Sequence, residues 1–424
     1  MTTTLGLLLA GVLLALIMAS PFAGLWLTFA SVPILQSMPA APFASSLTAV
    51  LGALTLVSWL VRVAANREML SLSGDRTYGW ILAFGTAAMV SLAIAAGGEI
   101  SQGIYTYVQL AILVWLAEQL ATTERRIEVM MIVWILALVA VQVIGLAGFD
   151  FSTLGRENRL AGISKNPNEL AFYSVMGICF ALYFLLTSRG MLVRALLVMA
   201  LAIGTLSVLL SASRGGFLVL ATVVFFALFS LRLEFIRGLR ISGMLFLLVA
   251  ALLLTSSLNL SFVPGLARDI PGAVTKFAAG HGSDPRARIF RWGLRSWAVH
   301  PIFGVGYGVG VEVGAYSSTP SGGNASHSSY LTALVETGAV GFILFCGLLI
   351  ATWRNLSSRP PTGQPSARGR VDLRWAWRVA FVAWLMMSFS GNLIASKILW
   401  IIIGVSISIR RQPDILEHDA SGQE

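Results

Sequence analysis

The chain has 424 residues, of which 57% are hydrophobic and 11% charged, with a mean hydropathy of +0.81 and a formal net charge of +10. So little charge over such a length excludes an ordinary soluble globular protein, and repeated apolar stretches point to a polytopic membrane protein. The basic balance does not require nucleic acid, because cytoplasmic loops of membrane proteins collect Arg and Lys. The two cysteines, Cys179 and Cys346, lie inside apolar runs and give no disulfide framework or metal spacing.

The apolar segments fall at 5–36, 43–61, 78–97, 103–121, 127–147, 167–187, 191–210, 215–231, 241–259, 331–353 and 379–409. They are continuously apolar rather than alternating, which predicts helices and not a barrel. The N-terminus lacks the basic n-region of a signal peptide, so the first segment is expected to be retained. That segment and the last are too long for single spans of about 20 residues. Pro21 and Pro33 are expected to interrupt the first, and Ser388 to Asn392 the last, with Lys397 beyond the break.

Most of the 29 basic residues lie in the linkers 62–76, 122–128, 188–194, 232–240 and 354–378 and in the tail from Arg410. These linkers alternate along the chain, as they do when each is cytoplasmic. The prediction is an all-α protein of about twelve transmembrane helices. Helices within 1–259 precede a large outward loop at 260–330 that contains short helices; helices within 331–411 and a cytoplasmic tail at 412–424 follow. Ten basic residues then face outward against the usual bias: Arg156, Arg159, Lys165, Arg214, Arg268, Lys276, Arg286, Arg288, Arg291 and Arg295. Positive charge held there implies an anionic ligand, although a long loop by itself also escapes the charge rule.

Arg214 stands in Ser213-Arg-Gly-Gly-Phe217, at a helix junction near the membrane surface. A guanidinium is a planar, permanently charged fork suited to phosphate, and snorkelling to headgroups is its plainer role. Arg288, Arg291 and Arg295 are spaced to share one helix face, as in an interfacial amphipathic helix. The glycines of 304–310 follow no strand and precede no Lys-Ser/Thr, so they are read as a tight turn against helices rather than a nucleotide loop. His327 precedes an apolar helix for which Ser326 is the expected N-cap. An imidazole at the outer mouth of a helix can take a proton from an attacking hydroxyl; a structural role suits the position equally well. No Asp-x-Asp or Glu-x-x-His pair occurs, so no metal and no cofactor is expected. Cations with one possible base suit a reaction whose leaving group is a diphosphate.

These residues resemble a known family. Ser-Arg-Gly-Gly-Phe, the run Arg288, Trp292, His300-Pro301, Gly304, Gly306, and the run His327, Tyr330-Leu331, Glu336, Gly338, Gly341 are similar to motifs of the O-antigen ligase and polysaccharide polymerase superfamily. Lys165-Asn-Pro-Asn-Glu-Leu-Ala171 is similar to an upstream element of the same proteins. The family often has Asn after the histidine, where this chain has Ser328.

The resemblance implies a metal-independent, inverting glycosyltransferase in the bacterial inner membrane with its active site facing the periplasm. Its donor would be a glycan on undecaprenyl diphosphate, and its acceptor lipid A–core, another lipid-linked repeat or another glycan. A polysaccharide-assembly complex would be a further partner. Carried over by motif, Arg214 and Arg288 would bind the diphosphate, with Arg291 beside them, and His327 would activate the acceptor. A transporter of an anionic lipid, with broken helices at 5–36 and 379–409, is the competing expectation. A passive scaffold is a third.

Overall fold

A computed structural model describes residues 2–35, 44–65, 74–94, 100–146, 160, 167–211, 213–230, 285–307, 328–358 and 371–421. Among these residues the chain is all-helical. In chain order the helices are α1 (Thr2–Ala19), α2 (Pro21–Leu35), α3 (Ala44–Ala64), α4 (Arg76–Ile94), α5 (Ile100–Leu120), α6 (Glu124–Leu146), α7 (Pro167–Thr187), α8 (Met191–Leu210) and α9 (Arg214–Ser230). After them come α10 (Pro285–Val299), α11 (Ser329–Ser357), α12 (Leu373–Met387) and α13 (Lys397–Ser421). Helices α3, α4, α6, α7, α8 and α11 are long and apolar enough to cross a membrane.

The expected interruptions are only partly where the prolines suggested. The first apolar stretch breaks at Ser20, with Pro21 as the first residue of α2, where its missing amide costs nothing. Pro33 does not interrupt; α2 runs through it to Leu35 without the bond that an amide at 33 would give. The last stretch breaks at 388–396, between α12 and α13.

Helix α7 is the axis of the bundle. It is apolar all round and buried without interruption from Leu170 to Ala181, because α6, α8, α9 and α12 cover it on different sides. Aromatic rings fill the space between helices: Phe29 of α2 packs on Trp134 of α6 at 4.6 Å, and Phe180 of α7 on Trp377 of α12 at 5.1 Å. Each such pair contributes about 0.5–1.5 kcal/mol beyond its buried area.

The bundle has two chemically different ends. At one, arginines close the helix termini: Arg411 Nη1 is 2.6 Å from Glu118 Oε1, Arg410 Nη1 is 2.9 Å from Asn355 Oδ1, and Arg374 donates to the Ser358 and Ile409 carbonyls. Tyr78 also donates to Glu118, and Asn355 donates to Thr77 at 2.9 Å. This network ties together the ends of α4, α5, α11, α12 and α13. Those arginines belong to the set assigned to one side by the loop-charge pattern. The opposite end carries the motif residues.

Candidate functional site

Two backbone breaks build the site. The first is inside α11, where Gly338 has φ 67° and ψ −171°. A broken helix in an apolar bundle leaves amides and carbonyls that water cannot satisfy, each costing several kcal/mol. The turn after α10 fills them. Val305 N and Gly306 N donate to the Val335 and Glu336 carbonyls at 3.0 and 3.1 Å. In return, Ala339 N and Val340 N donate to the Pro301 and Ile302 carbonyls at 2.8 and 3.3 Å. The His-Pro-x-x-Gly-x-Gly turn is therefore a splice across the kink of α11. Ser91 Oγ adds a bond from α4 to the Glu336 carbonyl.

The splice seats α10 against α11. A Cβ at Gly293 would lie 2.8 Å from Leu331 Cδ2, so the two helices meet closely there. By helical geometry, positions 288, 291 and 295 occupy the arc opposite Gly293. Arg291 and Arg295 are exposed, as are Phe290 and Leu294 on the adjoining arc. Trp297 Nε1 donates to the Pro301 carbonyl at 3.1 Å and locks the end of α10 to the turn. Tyr307 anchors the far side of the turn, edge-on to Phe84 and Tyr107. Burial raises its phenol well above the ordinary value, so it stays neutral.

The second break, at 388–396, is a hub on which several motif-bearing elements converge. Helix α11 starts here. Ser328, not Ser326, caps it: its hydroxyl accepts from Leu331 N at 3.4 Å. Ser and Asn both serve well at a cap, so Ser328 performs locally what an asparagine there would. Ser329 then grips the break, its amide donating to the Ser388 carbonyl at 2.8 Å and its hydroxyl to the Gly391 carbonyl at 2.9 Å. The same hydroxyl accepts from Leu393 N at 2.7 Å. Tyr330 donates to the Leu385 carbonyl at 2.9 Å and packs on Phe389.

Helix α9 reaches the hub from the other side. A Cβ at Gly215 would lie 2.4 Å from Ser390 Oγ, and one at Gly216 would lie 2.6 Å from Ala171 Cβ on α7. The glycine pair thus lets the helix that opens with Arg214 touch both the break and the axis. Ser213 caps α9 by accepting from Gly216 N at 3.1 Å, and donates to Asn168 Oδ1 at 2.7 Å. Asn168 belongs to the Asn-Pro-Asn element, so two motifs distant in sequence are joined by one hydroxyl.

The predicted residues fall as follows. Arg214 is the first residue of α9, next to Gly215 at the hub. Arg288 lies near the start of α10, and Arg291 one turn on. His327 lies outside the described residues, as do 260–284 and 308–326 of the outward loop; residue 328 is at the cap of α11. Among the described residues, no three of His, Cys, Asp and Glu are grouped as metal ligands. The roles of Ser329 and Ser388 were not readable in the sequence, because their partners are about sixty residues away and neither serine belongs to a periodic pattern.

No curated protein matches the chain. Arg214, Arg288, Arg291 and His327 all fall in the segment that a family model covers. The match of residues 197–346 to the family described as O-antigen ligase supports the chain's place in the O-antigen ligase and polysaccharide polymerase superfamily.

Proposed function

We propose that the chain is an integral-membrane glycosyltransferase that moves a glycan from undecaprenyl diphosphate to an acceptor hydroxyl at the outer face of the bacterial inner membrane, with lipid A–core as the acceptor. The acceptor oxygen attacks the anomeric carbon while the sugar–diphosphate C–O bond breaks, inverting that carbon. His327 takes the acceptor proton, and undecaprenyl diphosphate leaves with the bonding pair. Arg214, Arg288 and Arg291 hold the charge that accumulates on it. No metal is required, because guanidinium groups supply the positive charge. In this reading about twelve helices cross the bilayer and 260–330 is periplasmic.

The observation that carries the reading is the shared hub. Gly215, next to Arg214, and Ser329, two residues from His327, both meet the 388–391 segment. A residue beside the proposed phosphate-binding cation and one beside the proposed base thus meet the same segment, which supports a common site.

The test is transfer by the purified protein in nanodiscs from a lipid-linked glycan. His327→Ala, Arg214→Ala and Arg288→Ala are each expected to lower transfer at least about a hundredfold. Parental rates in all three would end the reading. Flux of the lipid across vesicles without bond formation would instead identify a transporter. In a deletion strain, a ligase leaves full-length lipid-linked chains and a polymerase leaves single repeats.

A further inference from the structure

Lys397 is the first residue of α13 and follows the hub directly. It is half-buried, and its ammonium makes no hydrogen bond or ion pair with any described residue. A cation in the first turn of a helix meets the positive end of the helix dipole, which disfavours it unless an anion is close. The neighbouring backbone offers little relief, because most of its carbonyls are already engaged. Those of Trp384, Leu385, Met387, Ser388, Gly391, Leu393, Ile394 and Ser396 accept from other groups in the hub, from Leu399 or from Trp400. The Ser388 hydroxyl, wholly buried at the end of α12, likewise has no hydrogen-bond partner among the described residues. Arg214 opens α9 in the same electrostatically unfavourable way, and Gly215 beside it abuts Ser390. Two helices that converge on one break thus each begin with a cation.

Resting on the glycosyltransferase reading above, we infer that Lys397 is a further contact for the phosphate groups of the lipid-linked donor, set across the 388–396 break from Arg214. A compact ammonium with three donors can bind a phosphate oxygen that a planar guanidinium fork leaves free. The broken helix would serve to place this charge at the depth of the lipid headgroup.

The test is a binding titration of undecaprenyl diphosphate to the full-length protein in nanodiscs of zwitterionic lipid, repeated with undecaprenol and with phosphatidylglycerol in the disc. Lys397→Met is expected to weaken undecaprenyl diphosphate binding about tenfold. Lys397→Arg should restore most of it, and undecaprenol binding and the melting temperature of the free protein should not change. Parental diphosphate affinity in Lys397→Met overturns the inference, as does an equal loss for undecaprenol, which is a packing effect. So does a diphosphate affinity that phosphatidylglycerol abolishes through Lys397, which makes the residue a bulk headgroup contact.

A second measurement needs no variant: undecaprenyl diphosphate, but not undecaprenol, should protect Lys397 of the parent protein from amine acylation, and absence of protection overturns the inference. Arg214→Ala and Arg288→Ala are titrated alongside. If they lose the diphosphate while Lys397→Met keeps it, only Lys397 is removed from the site. If all three keep it, the underlying reading falls as well.

Discussion

Gly304 and Gly338 lie face to face across the splice, each with a left-handed backbone, at φ 76° and 67°. A Cβ on Gly304 would sit 2.6 Å from Gly338 N, and one on Gly338 would sit 2.2 Å from the Ile302 carbonyl oxygen. The atoms in the way are backbone, which cannot rotate aside. Gly304→Ala and Gly338→Ala should therefore each destabilise the fold by about 3 kcal/mol or more, from left-handed strain plus steric overlap. Gly391→Ala is the control, since its Cβ would meet nothing closer than 3.6 Å. Melting temperatures in detergent check the contrast. Equal stability of all three variants would mean that the splice does not hold the kink of α11.

The two glycines after Arg214 separate packing from site geometry. At Gly216 the obstacle is the fixed Ala171 Cβ, whereas at Gly215 it is the end of the Ser390 side chain, which can turn. Gly216→Ala should lower the melting temperature more than Gly215→Ala. Gly215→Ala should instead lower transfer with little loss of stability, because it shifts Arg214 relative to the hub. Activity and melting curves measured on the same preparations decide this.

Ser213 is the joint between the Asn-Pro-Asn element and α9. Ser213→Ala removes an N-cap and leaves Asn168 Oδ1 without this donor, at a cost of about 1–2 kcal/mol. Asn168→Ala removes the acceptor and leaves the Ser213 cap in place. A double-mutant cycle read by thermal unfolding should give a coupling of about 1 kcal/mol between them. Strict additivity would show that the two motifs are neighbours without being linked.

At the opposite end, Glu118 has a side chain 1% exposed and is paired with Arg411. Arg411→Met strands that carboxylate, and about 3 kcal/mol or more of stability should go with it. Glu118→Gln combined with Arg411→Met should recover much of the loss, since no unpaired charge remains. The effect is read by melting temperature, and transfer by the double variant should be close to that of the parent. A double variant as unstable as the single would show that the charge pair itself, rather than the stranded charge, is what matters.

Much of this molecule was legible before any coordinates. Continuous apolar runs with few charges leave only helices as a solution for a backbone in lipid, and the interruption at 388–392 was visible as a polar, glycine-containing gap. The arginine-bearing motifs were visible for a similar reason: charge against an apolar background is conspicuous. Pro33 lies inside α2, where a proline removes one amide bond without having to end the helix. The choice of Ser326 over Ser328 as cap failed on a spacing of two residues, since serines at both positions carry the same propensity.

The amino-acid sequence by itself determined the apolar helices and the residue types available for chemistry, because hydropathy acts locally along the chain. Tertiary structure alone decided that the glycine turn at 301–306 patches the kink at Gly338, that Ser213 reaches Asn168, and that Gly215 and Ser329 meet at one break. Those are hydrogen bonds and close approaches between segments far apart in the chain, and they are fixed by which backbone groups remain unsatisfied once the helices pack.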